Sequence, residues 1–358
     1  QEHYTYQYDL QGRLLQTTYQ VGHTGSIILA RNTYDEIGNL VSTRRHNNTD
    51  AESFAYNVQN SLTCLQSGDV QERLYYCDSL PNYATACYNG NIASIRISQA
   101  GQTLQFAYHY DALNRLVSSR QLTADSYWDS ETFVYDHLGN IIHLDRFDNG
   151  TQIDELYYEY NGNQVTYIED MQSNQDRYNT YEYHSLSEYN GGGYHQLLYD
   201  RNGNLTADYD RGVCAIRYNL LNLPDTIQFF SGAQIINTYD AAGVKRRTCY
   251  LTPMEPELTP IGIVRHYHNE SHNIDKTIIT YNGSFVRTAM LSDGTAYRHD
   301  LSIHNPEGYT HFDITDGKLI NPQHYYFRRD HLGSNVAVWN ATRDTTVQRT
   351  WYYAGGTP

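Results

Sequence analysis

The chain has 358 residues, enough for one large domain or two ordinary ones, and no apolar run approaches the roughly 18 residues a membrane helix needs. Apolar residues make up 39%, but 36 of them are tyrosine, leaving about 29% ordinary core formers and arguing against a deep aliphatic core. A net charge of −15 with only three lysines argues against nucleic-acid binding, which needs a basic footprint.

One short motif recurs along the chain. YDLQGRL starts at Tyr8, YDEIGNL at Tyr34, YDALNRL at Tyr110 and YDHLGNI at Tyr135. YDRNGNL follows at Tyr199 and YDAAGVK at Tyr239. Weaker copies begin at Tyr56, Tyr88, Tyr160, Tyr218 and Tyr281, and most neighbours lie about 20 to 26 residues apart. Each unit reads as the tip of a hairpin. An alternating run such as FVY ends on the tyrosine, as a half-buried strand does. The aspartate (Asp9, Asp35, Asp111, Asp136, Asp200 or Asp240) accepts the backbone N–H two residues on and starts the turn. A glycine (Gly12, Gly38, Gly139, Gly203 or Gly243) supplies the positive φ that a tight reversal demands. Leucine or isoleucine then starts the return strand.

Other hairpin tips are expected at Asn149–Gly150, Asp293–Gly294 and Asp316–Gly317. No segment carries a sustained helical period. The expected fold is all-β: consecutive antiparallel hairpins in a ribbon that twists and must curl or spiral into a shell, limiting its exposed edges. Three of the eight prolines fall in LTPMEPELTPIG, Leu251 to Gly262, which cannot be a central strand. This divides the chain into a repeat region (1–250), a proline-rich connector (251–262) and a final β segment (263–358). The chain opens on Gln1 without a charged-then-apolar leader and is expected to be an internal or processed piece.

The Y-D-x-x-G-[NR]-L copies resemble the YD repeats of RHS proteins, wall-associated bacterial toxins, insecticidal toxin-complex shells and animal teneurins. The stretch from Tyr325 to Pro358 looks like the core segment that closes the RHS region, and its DHLGS string (Asp330, His331, Leu332, Gly333, Ser334) is the most family-specific in the chain. Where relatives often read YYPFG, this chain has Tyr352, Tyr353, Ala354, Gly355 and Gly356. The resemblance implies a hollow β cocoon. In bacterial relatives it encloses a variable C-terminal toxin, often released by self-cleavage after the core; in teneurin-like relatives it is an adhesive surface.

Several residue groups invite sharper readings. The repeated aspartates are not a calcium ladder, because each turn offers one carboxylate and calcium needs several converging oxygens. His266 and His268 share a strand face, with His272 nearby, yet sixteen histidines make such clusters common and no metal site is assigned. Asp330, His331 and Ser334 include the residue types of a hydrolytic triad. Neighbours on one turn cannot align that way, and His331 is expected to pack on tyrosines. Glu155–Asp154 and Glu169–Asp170 could serve a glycosidase only by facing each other across a cleft. The glycine-rich Glu188–His195 stretch lacks GK[ST] and a following helix, so phosphate binding is not expected. Cys77 and Cys87 could pair in an oxidising compartment, but five scattered cysteines make no disulfide framework.

The expected function is a non-catalytic scaffold, with no cofactor and no metal. It forms part of a secreted or cell-surface bacterial shell around a C-terminal effector of the same polypeptide. An adhesin or carbohydrate-binding surface, with glycans or receptors as partners, is the alternative. A shell contributing to autoproteolysis completed downstream is the second.

Overall fold

The structure, a computed structural model, describes residues 2–22, 24–122, 127–148, 150–171, 197–253, 274–292, 295–315 and 318–356. Every regular element among them is a strand. Fourteen strands, β1 (Glu2–Tyr8) to β14 (Gln164–Asp170), form one sheet, and thirteen, β15 (Leu197–Tyr199) to β27 (Thr345–Arg349), form a second. In both, each strand is hydrogen-bonded antiparallel to the next in sequence. The all-β hairpin ribbon expected from the repeats is therefore present, as two open sheets not closed into a barrel.

The ribbon curls for a local reason. In the YD hairpins the pairing register slips just before the tyrosine: between Gln7 and Tyr8, Thr33 and Tyr34, Val134 and Tyr135, Leu198 and Tyr199, and Thr238 and Tyr239. Such irregularities bend the strand that carries them and sharpen its right-handed twist. Repeated at one edge of the ribbon, they bend it the same way each time.

The wall is thin. β1 has no fully buried residue, and in β9 (Gln102–Tyr110) only Ala107 is one. Buried polar and charged side chains are almost as numerous as buried apolar ones. Apolar packing gathers where the sheets meet. Leu156 and Ile168 of the first sheet touch Leu197 of the second. Tyr19, Val21 and Leu29, early in the chain, pack with Ile303, Phe312, Tyr326 and Trp339, late in it. Late strands thus lie over early ones.

Several sequence expectations fall outside the described residues: the Asp293–Gly294 and Asp316–Gly317 tips, Asn149, the glycine-rich 188–195 stretch, and His266, His268 and His272. So do residues 254–262 of the proline-rich connector. Its first three residues depart from the connector reading. Leu251, Thr252 and Pro253 complete β20 (Lys245–Pro253), with Pro253 paired to Ile274 at the end of β21 (Ile274–Asn282). A proline at the last position of a strand leaves the rest of the ladder intact. All five cysteines, Cys77 and Cys87 included, are free thiols.

Candidate functional site

Each YD turn is built by its own aspartate. One carboxylate oxygen, Oδ1, accepts two backbone N–H groups, from residues two and four positions on. For Asp111 these are Leu113 and Arg115, both at 2.9 Å; for Asp200 they are Asn202 (2.8 Å) and Asn204 (2.9 Å). The second oxygen takes the side chain at the fourth position: Arg13 on Asp9 (2.6 Å), Arg115 on Asp111 (2.6 Å), Asn140 on Asp136 (2.8 Å). Sequence reasoning anticipated the first of these bonds and missed the others. The N–H of Arg13, of Arg115 and of Val244 is the main cause that holds Asp9, Asp111 and Asp240 below the usual carboxylate range.

The residue three positions after the aspartate (or after the asparagine that replaces it at Asn57 and Asn219) is left-handed. φ is +80° at Gly12, +100° at Gly38, +92° at Gly139, +84° at Gly203 and +81° at Gly243. Where glycine is absent, asparagine takes the place, with +66° at Asn60, +63° at Asn114 and +61° at Asn222. Asparagine tolerates this region better than other side-chain-bearing residues.

The tyrosines join one turn to the next. Each of these hydroxyls donates to a backbone carbonyl at or near the start of the return strand of the preceding repeat. Tyr34 reaches Leu14 (3.0 Å), Tyr110 reaches Ile92 (3.0 Å), Tyr135 reaches Leu116 (2.6 Å) and Tyr160 reaches Ile141 (2.6 Å). The series passes from the first sheet to the second, where Tyr199 donates to Val165 (2.8 Å), and continues with Tyr239 to Pro224 (3.0 Å). A second line runs beside it. Arg13 donates to the Asp35 carbonyl (3.3 Å), Arg115 to that of Asp136 (3.2 Å), and the two guanidiniums lie over the rings of Tyr34 and Tyr135.

The DHLGS string forms the same turn. Asp330 Oδ1 accepts the N–H of Leu332 (2.9 Å) and of Ser334 (2.7 Å), and Gly333 has φ +88°. Asp330 is therefore committed to backbone, which is not the posture of a triad acid. His331 does not rest mainly on tyrosines. Its Nδ1 faces Glu72 Oε1 at 2.9 Å, and its backbone N–H donates to Glu72 Oε2 at 2.8 Å. Glu72 is 2% exposed and belongs to the first sheet, so His331 meets it only across the two sheets.

That contact belongs to a longer seam between residues more than 200 positions apart. Arg45 Nε donates to Glu307 (3.0 Å). Arg328 binds Asp50 (3.2 Å) and Asp69 (2.7 Å), and Arg349 also binds Asp69 (2.6 Å). Further along, Gly355 donates its N–H to Glu131 Oε2 at 2.7 Å. Burial pushes Glu131 up to about 7, although the Gly355 N–H and Arg146 pull the other way. Between these contacts lies a cavity of about 220 Å³, lined by Ile95, Phe106, Tyr108, His331, Val336 and Tyr352 among others. No local pattern could have disclosed the seam, because its partners are separated by most of the chain.

The acidic pairs considered for glycosidase chemistry do not face one another. Asp154 is fully buried and pairs with Arg146 (2.7 Å), whereas its strand neighbour Glu155 accepts the Tyr157 hydroxyl (3.1 Å) on the opposite face. Asp170 accepts the Glu155 N–H at 3.1 Å.

No family model matches the chain, and no curated protein matches it. Among solved structures, it is similar to the crystal structure of TcdB2-TccC3 without hypervariable C-terminal region, with a TM-score of 0.68 and 13% identity over 99% of this chain. The chain shares the fold of the part of that structure it aligns with. At this identity the likeness is one of fold alone, and the present chain spans only 17% of the matched one. Structures of TcdB2-TccC3-TEV and of TcdB2-TccC3 also align over 99% of this chain and 23% of theirs, at 12% and 13% identity, but their TM-scores of 0.32 carry no argument.

Proposed function

We propose that the chain is a section of a non-catalytic β wall, part of an RHS-type shell in a secreted toxin assembly. In this reading residues 1–250 are the repeat wall, 263–358 the core-like segment, and the connector between them begins after Pro253, where β20 ends. The wall surrounds or presents an effector carried elsewhere on the same polypeptide. The matched structure is named for lacking a hypervariable C-terminal region, which fits an arrangement of constant wall and variable cargo.

One observation carries the proposal: the residues with chemical potential are engaged in building wall. The turn carboxylates cap backbone, the tyrosine hydroxyls tie repeat to repeat, and the DHLGS aspartate repeats the same turn. A catalytic carboxylate needs an oxygen turned toward substrate and a pKa suited to proton transfer. The YD aspartates have neither, since their bonds hold them low.

The test is protease protection in the full-length polypeptide that contains this chain. The effector segment of that polypeptide should survive a protease dose that digests the same segment expressed alone. Protection should vanish when the seam is opened by Arg45→Met with Arg328→Met. Equal digestion in the parent and the isolated segment would sink the shell reading.

A further inference from the structure

On β12 (Ile141–Asp148) and β13 (Thr151–Asn161), the pairing of Asp145 with Glu155 and of His143 with Tyr157 brings three ligand types to one face. His143 and Asp145 are two apart on one strand and so point the same way; Glu155 stands directly across from Asp145. One ligand atom from each of His143, Asp145 and Glu155 lies within 4.8 Å of the other two. We propose that these three side chains bind a divalent transition-metal ion, with zinc the best fit.

The geometry carries the choice of ion. His143 Nε2 lies 3.4 Å from Asp145 Oδ1. Two ligands bonded at about 2.0–2.2 Å to a tetrahedral zinc stand roughly 3.3–3.6 Å apart, so one ion fits between them with little movement. Beyond that approach to Asp145, the buried Nε2 of His143 has no hydrogen-bond partner among the described residues, and a metal would satisfy it. One imidazole with two carboxylates suits zinc or its first-row neighbours better than magnesium or calcium, which prefer all-oxygen sets.

The surroundings are those of an organised site. Thr132 donates its hydroxyl to Asp145 Oδ2 (2.7 Å), and Gln152 donates its side-chain N–H to Asp145 Oδ1 (2.8 Å). Tyr157 donates to Glu155 Oε1 (3.1 Å) and stacks on the His143 ring with centroids 4.4 Å apart. Such outer contacts fix the ligands and tune their basicity. Three protein ligands leave at least one coordination position for water. The bound ion would pin β12 to β13 by side chains as well as backbone.

The test is calorimetric titration of the purified chain with zinc chloride, repeated with Glu155→Gln and His143→Gln. Circular dichroism checks that each variant keeps its strand signal. Cobalt substitution reports the ligands, since the five free thiols are the obvious competitors. One equivalent should bind the parent, with a cobalt spectrum lacking thiolate charge-transfer bands. Outer-shell changes alone typically weaken metal binding about 10–100-fold, so losing a ligand in either variant should cost at least about tenfold. Absence of one-equivalent binding, thiolate bands in the cobalt form, or affinity unchanged in both folded variants would each overturn the proposal.

Discussion

Replacing Gly68 with alanine should open the seam from a position that itself carries no charge. Gly68 sits with φ +58° in the tight turn between β6 (Leu62–Ser67) and β7 (Val70–Tyr75). A Cβ there would overlap the guanidinium of Arg328. That guanidinium cannot swing away freely, because Asp50 and Asp69 hold it and the Arg328 side chain is only 6% exposed. The left-handed backbone costs an alanine about 1 kcal/mol. Displacing Arg328 breaks a buried ion pair and leaves Asp50 only its longer contact with Arg45 (3.8 Å), which adds about 3–5 kcal/mol. The expected total is about 4–6 kcal/mol. In an Arg328→Met background the pair is already gone, and Gly68→Ala should cost only the backbone part. Urea unfolding of the four proteins, followed by tryptophan fluorescence, closes the cycle. An equal cost of Gly68→Ala in both backgrounds would show that Arg328 does not fill the space above the turn.

Tyr135→Phe removes a donor from the Leu116 carbonyl and should cost about 1 kcal/mol; adding Tyr34→Phe and Tyr160→Phe should bring the loss near 3 kcal/mol, and a melting temperature unchanged in the triple variant would refute the ladder. Glu131→Gln keeps an acceptor for Gly355 while removing the titration. Because the folded pKa is raised from 4.5 to about 7, the parent should lose stability relative to the variant as pH rises through that window, levelling off at about 3 kcal/mol; parallel stability–pH curves would contradict this. The turn aspartates act in the opposite sense. Asp111 is held low in the fold, so its contribution is present above the unfolded value of 3.8 and disappears as pH falls through the folded one. Asp111→Asn should flatten the acid limb of the stability curve, and an unaltered limb would count against the capping geometry.

The fold was legible because the repeat encodes it locally. Tyrosine, Asx, left-handed glycine and aliphatic return residue each have a reason within seven positions, and the turn at Asp330 obeys the same rule as the turn at Asp9. What escaped the sequence lies between repeats or between sheets. The Tyr135 hydroxyl finds Leu116 only after stacking fixes the spacing of neighbouring turns. Arg328 meets Asp50 only once the ribbon has curled back on its start. His331 was expected to pack on tyrosines, but its partner, Glu72, comes from the other sheet. Asp154 and Glu155 looked like a pair until the strand sent them to opposite faces, one to Arg146 and the other toward His143.

Whether these hairpins form a wall around other chain, as proposed, is tested most directly by electron cryomicroscopy of the full-length polypeptide. The two sheets should appear as adjoining parts of a hollow shell, with Arg328 seated between Asp50 and Asp69 and with density for the effector on the enclosed side. Sheets that carry the same hairpins but face solvent on both sides, with the remaining polypeptide folded separately outside them, would contradict the proposal.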